Sequence, residues 1–168
     1  IRNLAAGFAF NGPAMQVHAT GGTLGGVAIA RSEASSADLR DAIIAVRGNA
    51  SGDAGSVIRL LQATPLAPSF GAVFADLAGA GPVTGEIAMY LPIKDFEKRV
   101  VTVMATLAGV SLRHKTQPFA ATAINGELWV RNRELHAPAL SGRLFGGPVR
   151  AAIATAAHAD GSLDTVVS

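Results

Sequence analysis

A catalytic or metal-binding centre needs donors that converge, so the residues able to do chemistry come first. His18, His114, His136 and His158 stand far apart, with no His-x-x-x-His or His–Glu pairing to bring two ligands onto one metal. Solvated or turn positions suit them better. No serine sits in a Gly-x-Ser-x-Gly elbow, and none follows a glycine-rich phosphate loop with lysine. Among the twelve carboxylates, the close pairs are Asp38 with Asp41 and Asp95 with Glu97. The first reads as a polar turn and the second as a hairpin tip, whereas an acid–base pair needs burial to separate its pKa values. The run Gly21-Gly22-Thr23-Leu24-Gly25-Gly26 looks like a nucleotide loop, but no lysine or acidic partner follows it; glycines that bend a strand explain it. The absence of cysteine removes disulfides, thiolate zinc sites and thiol catalysis. The expectation is a non-enzyme with no catalytic residue, no metal site and no cofactor.

The elements that would position any site follow from composition and periodicity. Hydrophobic residues make up 49% and charged residues only 15%, against a usual charged share of about 25%, so some apolar surface is expected to serve as more than core. Glycines and prolines are scattered as strand punctuation. With a formal charge of +2 and no basic stripe, nucleic-acid binding is not expected. The uncharged window from Asn3 to Ala30 is broken by Gly7, Gly12, Pro13, Gln16, His18 and the glycine run, so it is not a membrane helix. The chain opens without methionine and stops inside Leu163-Asp164-Thr165-Val166-Val167-Ser168, which reads as a strand in progress. It is taken as a segment of a longer protein.

Between Val83 and Ile93 the residues Val83, Ile87, Met89, Leu91 and Ile93 hold one parity, while Thr84, Glu86, Tyr90 and Lys94 hold the other: a half-buried strand. Pro92-Ile93-Lys94-Asp95 carries a turn, and Val101, Val103, Ala105 and Leu107 resume the alternation. Past Gly109 the parity slips to Val110 and Leu112, as a β-bulge would make it. Further strands are expected at Gly7 to Phe10, Met15 to Ala19, Gly26 to Ala30, Ile43 to Val46, Ile124 to Val130 and Val149 to Ile153. A helix is expected from Asp53, its cap, to Ala63, and a second short one from Ser69 to Leu77. Trp129, the only tryptophan, shares its parity with Arg131 and Arg133, on an outer face or at the rim of a groove. Gly146 and Gly147, ahead of Pro148, mark a place where the backbone bends or takes positive φ.

Two stretches read alike. Phe8-Ala9-Phe10, Met15 to Ala19 and Gly22 to Val27 parallel Leu128-Trp129-Val130, Glu134 to Ala137 and Gly142 to Gly147, giving possible repeat units 4–39 and 124–163. The fold class expected is mainly β: an elongated, curled antiparallel sheet of repeated short strands with one or two short helices, residues 1–168 forming a single segment.

The phrases Leu60-Leu61-Gln62-Ala63-Thr64-Pro65-Leu66, Tyr90-Leu91-Pro92-Ile93 and Leu140-Ser141-Gly142-Arg143-Leu144-Phe145-Gly146-Gly147-Pro148 resemble the YhdP family of AsmA-like bacterial envelope proteins. The resemblance implies a periplasmic body of a protein anchored in the inner membrane by an N-terminal helix that this segment lacks. It also implies phospholipid as partner, with acyl chains sliding along an apolar groove. The residues assigned to that groove are Ile87, Met89, Leu91, Val101 and Val103. A structural or assembly scaffold is the alternative, and an enzyme on envelope glycan would require a cleft with convergent carboxylates. Unpaired strand edges are expected to make the segment self-associate.

Overall fold

The computed structural model describes residues 5–63, 76–132, 134–157 and 163–168. They form one open, curled, antiparallel sheet of twelve strands. The strands are β1 (Ala5–Asn11), β2 (Ala14–Thr20), β3 (Thr23–Leu24), β4 (Val27–Ser36), β5 (Ile43–Asp53) and β6 (Leu77–Ala80), then β7 (Pro82–Pro92), β8 (Val100–His114), β9 (Ala120–Arg131), β10 (Glu134–Leu144), β11 (Gly147–Ala157) and β12 (Leu163–Val167). Helix α1 (Ala54–Gln62) follows β5, and a 3₁₀ segment, Ile93–Lys98, joins β7 to β8. The spatial order β1-β2-β4-β5-β7-β8-β9-β10-β11-β12 keeps chain order. β3 prolongs the line of β2 against β4, and β6 prolongs that of β7 against β8. Each strand of this main path pairs with the one after it on the path, so the sheet is a meander built from local connections.

Alternation decides the two faces. In β7 the residues Val83, Gly85, Ile87, Met89 and Leu91 are buried or half-buried, while Thr84, Glu86, Ala88 and Tyr90 are exposed. The same contrast runs through β5, β8 and β9, because antiparallel pairing keeps residues of one face opposite one another. The bulge expected in β8 is present: pairing with β9 shifts between Ala108 and Val110. Gly109 there takes φ +71 and donates its N–H to Asn125 Oδ1 at 2.8 Å. One extra residue turns the apolar set back to its face, so Val110, at 1% exposure, lies in the core.

Helix α1 begins where the sequence places it. The Asp53 carboxylate accepts the Gly55 N–H at 2.9 Å as an N-cap and the Gly81 N–H at 2.8 Å from the β6–β7 junction. The Ala54 N–H is donated to the Gly81 carbonyl at 2.8 Å. These bonds pin the helix start to the sheet and hold the Asp53 carboxyl below the ordinary carboxylate range, the Gly81 N–H contributing most. Ala54 and Val57 then pack on Val83, Val110 and Ile124, the small closed core of the molecule.

Several expectations need adjustment. The strands run longer than the expected segments, β8 reaching fifteen residues. β7 stops at Pro92, and Ile93 opens the 3₁₀ segment with its side chain exposed. Of the second helix, residues 69–75 lie outside the described residues and Leu77 starts β6. The bend assigned to Gly146 and Gly147 falls on Phe145 (φ 50) and Gly146 (φ 85). Gly147 already begins β11, and a Cβ on it would meet nothing closer than the Leu144 carbonyl at 3.7 Å. A valine there is therefore not expected to strain the backbone.

Candidate functional site: a one-sided apolar band

The five residues assigned to a groove lie together on one face. Ile87 is opposite Val103 and Met89 opposite Val101 across β7 and β8. Across β5 and β7, Met89 is opposite Val46 and Leu91 opposite Ile44. Val101 is 4% exposed, and the other four are half-buried.

The band extends well beyond those five. Val46 faces Ala34, Ala34 faces Val17, and Val17 faces Phe8 on β1. In the other direction Val103 faces Val130 and Val130 faces Leu135. Ile153 of β11 continues the band opposite Ala137. The apolar path thus crosses the strands at right angles and follows the long direction of the sheet. Ten strands on the main path, spaced about 4.8 Å apart, give it a length on the order of 40 Å. Near its end it becomes partly polar, where the Thr155 and Thr165 hydroxyls bond at 3.1 Å. Sequence reasoning missed the members on β1, β2, β4, β5, β9, β10 and β11, although these strands carry a similar alternation. What it lacked was the order of the strands.

Among the described residues no second sheet covers this face. Helix α1 lies at one margin, against β4, β5, β6 and β7, where Ala54 and Val57 also reach Val110 of β8 and Ile124 of β9. Partial burial of Ile87, Met89 and Val103 therefore comes from lateral neighbours on the sheet.

The opposite face is polar and shallowly hollowed. A depression of about 490 Å³ is walled by Asn49, Ser51, Thr84, Glu86, Met104, Thr106, Glu127 and Trp129. Beside it a second, of about 330 Å³, is walled by Arg31, Arg47, Asn49, Glu86, Thr102 and Met104. Trp129 thus stands on the outer face at a hollow, as its parity implied, its ring 5.9 Å from that of His136. Glu86 and Glu127, which no sequence spacing relates, meet at the same hollow, both exposed.

The remaining candidates stay apart. His18 lies 3.5 Å from Glu33 on the neighbouring strand. His114 accepts N–H bonds from Thr116 and Gln117 and closes a turn, and His158 lies outside the described residues. Asp38 pairs with Arg40 at 2.6 Å and Asp95 with Lys98 at 2.6 Å. Among the described residues no three His, Asp or Glu side chains gather as metal ligands.

The described residues thus form a single open antiparallel sheet, apolar along one face and more polar along the other. The model of the YhdP protein family matches residues 1–168. The chain belongs to that family and is a bacterial envelope protein. No curated protein and no solved structure gives a significant match. No helix among the described residues is long and apolar enough to cross a membrane.

Proposed function

We propose that this chain is a length of a non-enzymatic conduit for phospholipid between the inner and outer membranes, working on the periplasmic side of the envelope without a cofactor. The observation that carries the reading is the continuous apolar band from Phe8 to Leu135, open along most of its length among the described residues. An acyl chain leaving a bilayer exposes methylenes at about 0.8 kcal/mol each. A band of aliphatic side chains with no fixed hydrogen-bonding partners removes most of that barrier while holding the chain too loosely to trap it. The headgroup stays in water, and the band's direction across the strands gives the lipid a path along the sheet.

The test uses parity. Photo-crosslinkers at Ile87, Met89, Leu91, Val101 and Val103 in cells are expected to capture phospholipid, and crosslinkers at Glu86, Ala88 and Tyr90 to capture little. Equal capture on both parities, or none on either in a folded protein, overturns the reading. One observation favours a scaffold instead: α1 seats Ala54 and Val57 against Val83 and Val110, so that margin of the face is already closed core. Mass spectrometry of lipids that copurify with the protein separates the two, since a scaffold carries none.

A further inference from the structure

The polar face carries a second surface that a lipid path does not use. Asn49 on β5 pairs with Glu86 on β7, Glu86 with Met104 on β8, and Met104 with Trp129 on β9. One step along the strands, Ser51, Thr84, Thr106 and Glu127 form a parallel row. The result is a shallow hollow with a thioether and an indole bordered by hydroxyls, an amide and two carboxylates.

Trp129 is 49% and Met104 54% exposed. An indole ordinarily finds cover, and here the His136 ring stands 5.9 Å away, tilted at 38°. Among the described residues neither Glu86 nor Glu127 forms an ion pair. Arg31 and Arg47 line the adjoining hollow, so the two carboxylates are matched by two guanidinium groups. Over the two hollows together the formal charges cancel, so net charge selects neither a polyanion nor a cationic peptide.

A neutral ligand with many hydroxyls and an apolar C–H face fits each part of this surface. We propose that the outer face around Trp129 binds a neutral saccharide chain. One pyranose ring lies on the indole, the next over Met104, and their hydroxyls donate to Glu86 and Glu127 and exchange bonds with Asn49, Thr84 and Thr106. The strand spacing of about 4.8 Å is close to the repeat of a β-linked pyranose. The two rows of side chains run across four strands, β5, β7, β8 and β9, which suits a chain more than a compact metabolite.

Trp129 is the only tryptophan of the chain, so its fluorescence reports this site alone. Titrating the purified chain with β-1,4-linked tetramers of N-acetylglucosamine and of glucose is expected to give a saturable blue shift with at least one of them. By calorimetry, Trp129→Ala and Met104→Lys, each checked for its β circular dichroism, are expected to weaken binding at least tenfold. Glu127→Gln, which keeps a hydrogen-bonding group, is expected to change affinity less than threefold. No saturable response to either tetramer overturns the proposal, as does undiminished binding by a folded Trp129→Ala or Met104→Lys chain. Saturable binding of a lysine hexamer in place of both sugars, lost in Glu127→Gln, also overturns it and marks a cation site. Because the site lies on the face opposite the apolar band, failure here leaves the lipid reading untouched.

Discussion

In the first stretch of the sheet, β1 turns through Gly12 and Pro13 into a line of strand over residues 14–24, which turns through Gly25 and Gly26 into β4. In a later stretch β9 is followed past Asn132 by β10, Glu134–Leu144, which turns through Phe145 and Gly146 into β11. The offset is constant, 134 against 14, 144 against 24 and 147 against 27, and the positive φ angles recur in step: 58 at Gly12 and 53 at Asn132, 60 at Gly25 and 50 at Phe145, 86 at Gly26 and 85 at Gly146. Burial does not recur. Phe8 and Phe10 are 68% and 65% exposed, whereas Val130, the counterpart of Phe10, is 8% exposed. The difference is β8, which flanks β9 and sets Val103 against Val130; β1 has no strand on its outer side among the described residues. In a one-layer sheet a side chain is buried by its lateral neighbours, not by an opposing layer.

The strongest test of that comparison exchanges equivalent residues. Val130→Asp places a carboxylate among apolar neighbours and is expected to cost about 3 kcal/mol in chemical denaturation, while Phe10→Asp costs about 0.5 kcal/mol or less. Similar losses at both sites would mean that β1 is covered in solution. The second test concerns the open edge, since β1 presents seven residues without a charge and is expected to draw chains together. Light scattering should show association that Phe8→Lys reduces, and an unchanged mass for this variant would move the contact elsewhere.

A smaller effect is expected at the turns. Phe145 takes a left-handed conformation where the first stretch has Gly25, so Phe145→Gly is expected to stabilise the chain by about 1 kcal/mol, read as a rise in the denaturation midpoint. Gly25→Phe should do the reverse, and it also brings a side chain towards Leu60 of α1, whose Cδ1 lies 3.4 Å from where a Cβ would be. The smallest effect is in acid. The folded state lowers the Asp53 pKa, so its contribution is complete above the ordinary carboxylate value and is lost as pH falls through the lower folded one, a window below about pH 4. There, protection of the amides of Gly55 and Gly81, and of those around the Gly25–Gly26 turn that α1 covers, is expected to fall relative to their intrinsic exchange rates, while protection at the Phe145–Gly146 turn is unchanged. Asp53→Asn should remove the pH dependence.

Features set by a few consecutive residues were legible in the chain itself. Asp53 before an apolar run announces a capped helix, alternation from Val83 to Leu91 announces a two-faced strand, and the slip at Gly109 announces a bulge, because each depends on backbone geometry within a few residues. Parity likewise put Ile87, Met89 and Leu91 on one face. Only the tertiary structure decided which strands stand side by side, and with that the continuity of the apolar band, the exposure of Phe8 and Phe10, and the meeting of Glu86, Met104, Glu127 and Trp129 at one hollow. These rest on pairings between strands, and the periodicity of a strand says which face a residue takes without saying which residue will lie beside it.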